Sequence, residues 1–137
     1  MKVRSIVRAA CAAIVVAIAG PAAAQTGQTV APQFREAISN IPGKSMVAVV
    51  VDYAPDGSTP SHVHAKSAFI FAYVVSGAIE SQVNDGPKRV YRAGESFYET
   101  PGSHHSVSRN ASNTEPAKLL AVFVVDSDDK ELTTLVK

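Results

Sequence analysis

The chain has a single cysteine in 137 residues, Cys11, and it sits inside an apolar stretch near the start. That stretch, Ala9 to Gly20, holds about a dozen residues where a bilayer crossing needs roughly 20. Lys2, Arg4 and Arg8 precede it, and Pro21-Ala22-Ala23-Ala24 ends it before Gln25. A basic front, an apolar middle and a small-residue site predict an export signal, residues 1–24, cleaved after Ala24. Cys11 lies mid-run and not at the new N-terminus, so it leaves with the signal and supplies no lipid anchor. The mature chain then has no cysteine, which excludes disulfides, zinc-thiolate sites and cysteine nucleophiles. Clustered basic charge is also missing. Thirteen Lys and Arg stand against twelve Asp and Glu, and loss of the signal removes three of the bases. Nucleic acid is therefore excluded as a partner, and so is membrane association after cleavage. No Gly-x-Ser-x-Gly elbow and no glycine-rich nucleotide loop occurs. Asp126, Asp128 and Asp129 lack calcium-loop spacing and read as a solvated turn. Glu80, Glu95 and Glu99 show no paired-carboxylate spacing and read as solvated strand or turn residues.

What is present is a run of short strands. Gln25 to Pro32 reads as a flexible lead-in, and Phe34, Ala37, Ile38 and Ile41 recur at helical spacing before Pro42-Gly43, predicting a short helix. From there the period is two. Strands are expected at Ser45–Tyr53, Ala68–Val75, Ala78–Val83, Lys88–Tyr91, Phe97–Glu99, His105–Arg109 and Lys118–Val125, with an edge strand or a frayed tail at Leu132–Val136. Asn84-Asp85-Gly86-Pro87 is a hairpin signal, because these residues tolerate the positive dihedral angles of tight reversals. Leu119 to Val125 is apolar throughout and is expected to be buried as a unit. Phe69, Phe71, Tyr73, Tyr91, Phe97 and Tyr98 read as core or wall residues, with the hydroxyls of Tyr73 and Tyr98 available to a pocket. Seven or eight short strands call for a sheet sandwich or a barrel. The composition, 46% hydrophobic and 18% charged, suits one domain.

All four histidines occur in two places, His62-Val63-His64 and His104-His105. Residues two apart on a strand point the same way, so His62 and His64 can converge on one ion. A third imidazole completes a facial triad that suits Zn, Fe, Ni or Cu and leaves coordination positions open. His104, pointing opposite to His105 on an extended strand, is expected to support the site or face the surface.

The stretch Gly57-Ser58-Thr59-Pro60-Ser61-His62-Val63-His64, continuing through Tyr73-Val74-Val75-Ser76-Gly77, resembles the first motif of the cupin superfamily. Gly94-Glu95-Ser96-Phe97-Tyr98-Glu99-Thr100-Pro101-Gly102-Ser103-His104-His105, running to Arg109-Asn110, resembles the second. The resemblance implies an all-β fold, an antiparallel double-stranded β-helix or jelly-roll barrel over residues 45–137, behind a lead-in and short N-terminal helix over residues 25–44. It implies one divalent ion (Fe, Mn, Zn, Ni or Cu) held by His62, His64 and His105, and a homodimer, as is common among small cupins. The glutamate usual in the first motif falls on Ile70, which cannot bind metal. Three neutral imidazoles would leave the ion's charge to water or a substrate anion, or His104, Glu80 or Gln82 would fill the place. Gln82, His104, Tyr73 and Tyr98 are the candidates for lining or supporting the site. The expected function is that of a periplasmic or secreted metal-binding protein, either an enzyme of oxygenase or isomerase type acting on a small polar organic molecule or a non-catalytic ligand-binding or sensing module.

Overall fold

The structure, a computed structural model, describes residues 26–136. The expected export signal lies outside these residues. Among the described residues there are eleven strands and no helix: β1 Gln28–Ala37, β2 Lys44–Tyr53, β3 Ser58–Thr59, β4 His62–His64, β5 Phe69–Ser76, β6 Ala78–Val83, β7 Arg89–Arg92, β8 Ser96–Glu99, β9 His104–Asn110, β10 Ala117–Asp126 and β11 Thr133–Leu135. They form two antiparallel sheets, one ordered β1-β2-β10-β5-β8 and the other β11-β4-β9-β6-β7, with β3 also paired to β9. No helix in the described region is long and apolar enough to cross a membrane.

Two expectations are corrected here. The barrel, or jelly roll, is not formed: the first sheet ends at β1 and β8 and the second at β11 and β7, and among the described residues no strand pair joins these edges to close either sheet. The short N-terminal helix is absent as well. Gln28–Ala37 is instead a ten-residue strand along β2, pairing from Gln28↔Tyr53 to Ala37↔Ser45. The register shifts between Pro32 and Phe34, so Gln33 is a bulge residue. A bulge moves every later side chain to the other face, which hides the period of two and leaves Phe34 and Ala37 at a helix-like interval. Pro32 is tolerated because β1 is an edge strand.

The core lies between the sheets and is lopsided. The first sheet buries alternate residues: Val47, Val49, Val51 and Tyr53 of β2, Ile70, Ala72 and Val74 of β5, and five residues of β10 from Ala117 to Val125. Among buried apolar residues only Ile79 comes from a strand of the second sheet, whose inner face carries His62, His64, Ser81, His105, Ser108 and Asn110. Buried polar groups must find partners. Most do: Tyr53 Oη lies 2.8 Å from both Thr59 Oγ1 and Ser108 Oγ, and Asn110 Nδ2 donates to the carbonyls of Ala54 and Glu115. The outer face of the first sheet is also apolar. Phe69, Phe71, Tyr73, Val75 and Tyr98 are exposed there and not in the core, and only alternate residues of Leu119–Val125 are fully buried.

Candidate metal centre

The period of two on β4 sends His62 and His64 inward and Val63 away, and antiparallel pairing sets His105 of β9 directly opposite His62. The three rings meet with centroids 4.7 Å (His62–His64), 5.2 Å (His62–His105) and 6.0 Å (His64–His105) apart. One nitrogen from each lies within 4.8 Å of the others, and all three residues are buried. His62 Nδ1 is 2.8 Å from the Pro60 carbonyl. A carbonyl only accepts, so Nδ1 carries the proton and Nε2 keeps its lone pair for the centre. His105 Nε2 is 2.8 Å from Ser81 Oγ, which fixes that ring. Among the described residues His64 has no hydrogen-bond partner at either nitrogen although it is buried. A dry imidazole left without a donor or acceptor partner costs about 1–3 kcal/mol.

Glu99 of β8 lies beside the cluster, against two of its three rings. Its Oε1 is 3.2 Å from His105 Nδ1 and its Oε2 is 3.0 Å from His64 Nε2. The second approach is close enough for an ion pair yet lacks the angles of a hydrogen bond, and Oε2 is left without a partner. Burial pushes the His62 imidazole down to about 4, reinforced by its two histidine neighbours and opposed by Pro60, so the ring is neutral and ready to bind metal near pH 7. Burial alone would raise the Glu99 carboxyl, but the adjoining His105 and His64 outweigh it and hold the group at about 2. The donor set, three imidazoles beside a carboxylate, is one that first-row divalent ions take readily.

A cavity of about 410 Å³ opens beside the cluster, walled by Val49, Val51, Ala72, Leu119, Ala121 and Phe123. Tyr53, Thr59 and Ser108 put hydroxyls along it, and Gln28, which also lines it, has a buried Oε1 without a partner. Ile70 lies on this wall. The other sequence candidates are elsewhere. His104 faces the opposite side of β9 from His105, with Nε2 2.7 Å from Ser61 Oγ. Tyr73 points out of β5, and Tyr98, 64% exposed, stacks on Phe69 with ring centroids 5.8 Å apart. Gln82 donates to the Gly86 carbonyl in the β6–β7 turn, and Glu80 pairs with Arg109. Sequence reading missed Glu99, Tyr53, Thr59, Ser108 and Gln28. Alternation along β8 puts Glu99 on the face of Phe97 and not of Tyr98, but only the pairing of β8 with β5 brings that face to the histidines.

The sequence profile of the family described as Cupin domain matches residues 49–123, which spans both histidine motifs. No curated protein matches significantly. Among solved structures, an oxalate oxidase, also solved with the substrate analogue glycolate, is 25% identical over 85% of this chain, with a TM-score of 0.61. This chain spans 59% of that protein's length. TT1209 from Thermus thermophilus is 21% identical over 72% of this chain and 83% of its own, with a TM-score of 0.57. The cupin domain of Cnp3 from Schizosaccharomyces pombe is 21% identical over 73% of this chain and 62% of its own, with a TM-score of 0.58. The last two likenesses speak for the fold alone. With more than half of its residues inside the family profile and the histidines of both motifs gathered in one buried cluster, this chain belongs to the cupin family.

Proposed function

We propose that His62, His64 and His105 hold one divalent first-row ion and that the protein is a metal-dependent enzyme of oxygenase or isomerase type, exported from the cytoplasm. The observation that carries this reading is the meeting of three buried imidazoles in which, among the described residues, neither nitrogen of His64 makes a hydrogen bond and its Nε2 meets only the Glu99 carboxylate. A bound ion supplies Lewis acidity or a redox centre to an oxygen-bearing group of the ligand. The chain's own residues do the rest. The Pro60 carbonyl fixes the His62 tautomer, Ser81 fixes the His105 ring, and the apolar walls keep water from the ligand's body. Among the described residues no Lys or Arg lines the cavity. A ligand with a polar head and an apolar body, neutral or singly charged, suits it better than a two-carbon acid such as the glycolate in the oxalate oxidase structure.

A binding or sensing module is the second reading, favoured by the engagement of Glu99, the one carboxylate that lines the cavity among the described residues, with two histidines. Metal analysis of the purified protein tests the site. About one ion per chain is expected, with most of it lost in His62→Ala; no stoichiometric metal would reject the centre. Turnover of a small organic molecule, abolished in His105→Ala, then separates enzyme from module.

The outer face of the first sheet supports a homodimer. Phe69, Phe71, Tyr73 and Val75 of β5 lie exposed on it, beside the outward residues of β10. Cross-strand pairs Lys44–Asp126 and Lys118–Asp52 frame its two ends with both signs of charge. A second copy offers the matching surface, apolar against apolar with each rim able to meet its opposite sign.

A further inference from the structure

We infer that Glu99 is the carboxylate ligand of this centre, delivered from β8 across the strand pair to the place that Ile70 leaves without a ligand on β5. The inference rests on the reading of the three histidines as a metal site and adds a fourth residue to it. Ile70 and Glu99 are direct partners in the β5–β8 ladder. Both are buried, 1% and 3% exposed, and both line the cavity. Directly opposed residues of an antiparallel pair have Cα atoms only about 4.5–5.5 Å apart. A side chain as long as glutamate spans that step, so its carboxylate can reach what a ligand at position 70 would reach.

The contacts of Glu99 are those of a ligand beside other ligands. Two donor atoms, each about 2.1 Å from one ion, lie about 3.0 Å from each other at the right angles of an octahedral site and about 3.4 Å apart in a tetrahedral one. Glu99 Oε2 is 3.0 Å from His64 Nε2, and Oε1 is 3.2 Å from His105 Nδ1. If Glu99 served only to accept a proton from His64, the N–H would aim at Oε2; it does not, and both atoms remain without a partner. A shared cation resolves the two orphaned atoms together. It also balances charge, since three neutral imidazoles leave a divalent ion's charge uncompensated and the nearest carboxylate halves it. Among the described residues no Lys or Arg pairs with Glu99 to offset it otherwise.

The test uses the full chain, freed of metal by chelation and titrated with Mn²⁺ and with Zn²⁺ against a competing chelator. Glu99→Gln should bind at least about 10-fold more weakly, the lower range even for losing a group that only supports a ligand. The double variant Ile70→Glu/Glu99→Ile, which carries the carboxylate back across the ladder, should bind more tightly than Glu99→Ile alone. Infrared difference spectra of the unaltered protein should show a carboxylate band that shifts on Mn²⁺ loading and is missing from Glu99→Gln. Unchanged affinity in a folded Glu99→Gln overturns the inference while leaving the histidine centre standing. If that variant does not fold, the infrared result on the unaltered protein decides, and the absence of a shifting carboxylate band overturns it. Failure of the unaltered protein to bind either ion removes the histidine centre and this inference with it.

Discussion

His62 and Glu99 keep the protonation states that metal binding would need for different reasons. Burial keeps the His62 imidazole neutral down to about pH 4, while neighbouring histidines keep Glu99 ionised down to about pH 2, against the penalty of its own burial. In the unfolded chain these groups take up protons near 6.5 and 4.5. Both folded values lie below the unfolded ones, so the unfolded chain binds more protons as acid is added. The stability tied to His62 is present above about pH 6.5 and is lost as pH falls toward 4; that tied to Glu99 is present above about 4.5 and is lost toward 2. Urea midpoints of the metal-free protein should therefore fall steadily from about pH 7 to about pH 4, and His62→Ala should flatten the upper part of that fall. A midpoint that stays level over this range would show that the His62 environment is not the dry one described.

At the scale of the element, turns and ladders position the site. Gly77, between β5 and β6, has φ of +69°, and a Cβ there would stand 2.6 Å from the Pro116 carbonyl oxygen and 2.8 Å from Ala117 Cβ. Gly94 has φ of +89° but open space around it. Gly77→Ala should cost about 2 kcal/mol or more, from backbone strain plus collision, and Gly94→Ala about 1 kcal/mol from strain alone. Urea unfolding with unchanged m measures both, and equal losses would contradict the steric difference. Strands that are apolar runs bounded by turn residues were legible in the sequence: the middle parts of β2, β5 and β10 follow from residue type and length, and the convergence of His62 and His64 follows from their spacing. β1 was not legible, because the bulge at Gln33 breaks its period and only pairing with β2 makes it a strand. Glu99 was hidden for a related reason. Its position opposite Ile70 is a register between strands over twenty residues apart, and no local pattern carries such a register. The aromatic side chains of β5 show the converse limit, since hydrophobicity alone did not tell the inner face from the outer.

The molecule as a whole divides its labour between two unlike sheets, the first supplying apolar walls, the carboxylate and the Tyr53 hydroxyl, the second supplying the imidazoles and the hydroxyls of Thr59 and Ser108. The first sheet's outer face is where assembly is expected. Light scattering at micromolar concentration should give the mass of two chains. Phe71→Glu, on the outer face opposite Val122, should give the mass of one without loss of bound metal. A monomeric unaltered protein would reject the dimer and leave the centre untouched. The centre itself is tested most directly by a crystal of the protein purified without chelators, with diffraction collected on both sides of the absorption edge of the metal found in it. One anomalous peak at bonding distance from a nitrogen of each of His62, His64 and His105 is the expected result; a fully ordered site with no peak among the three rings would contradict it.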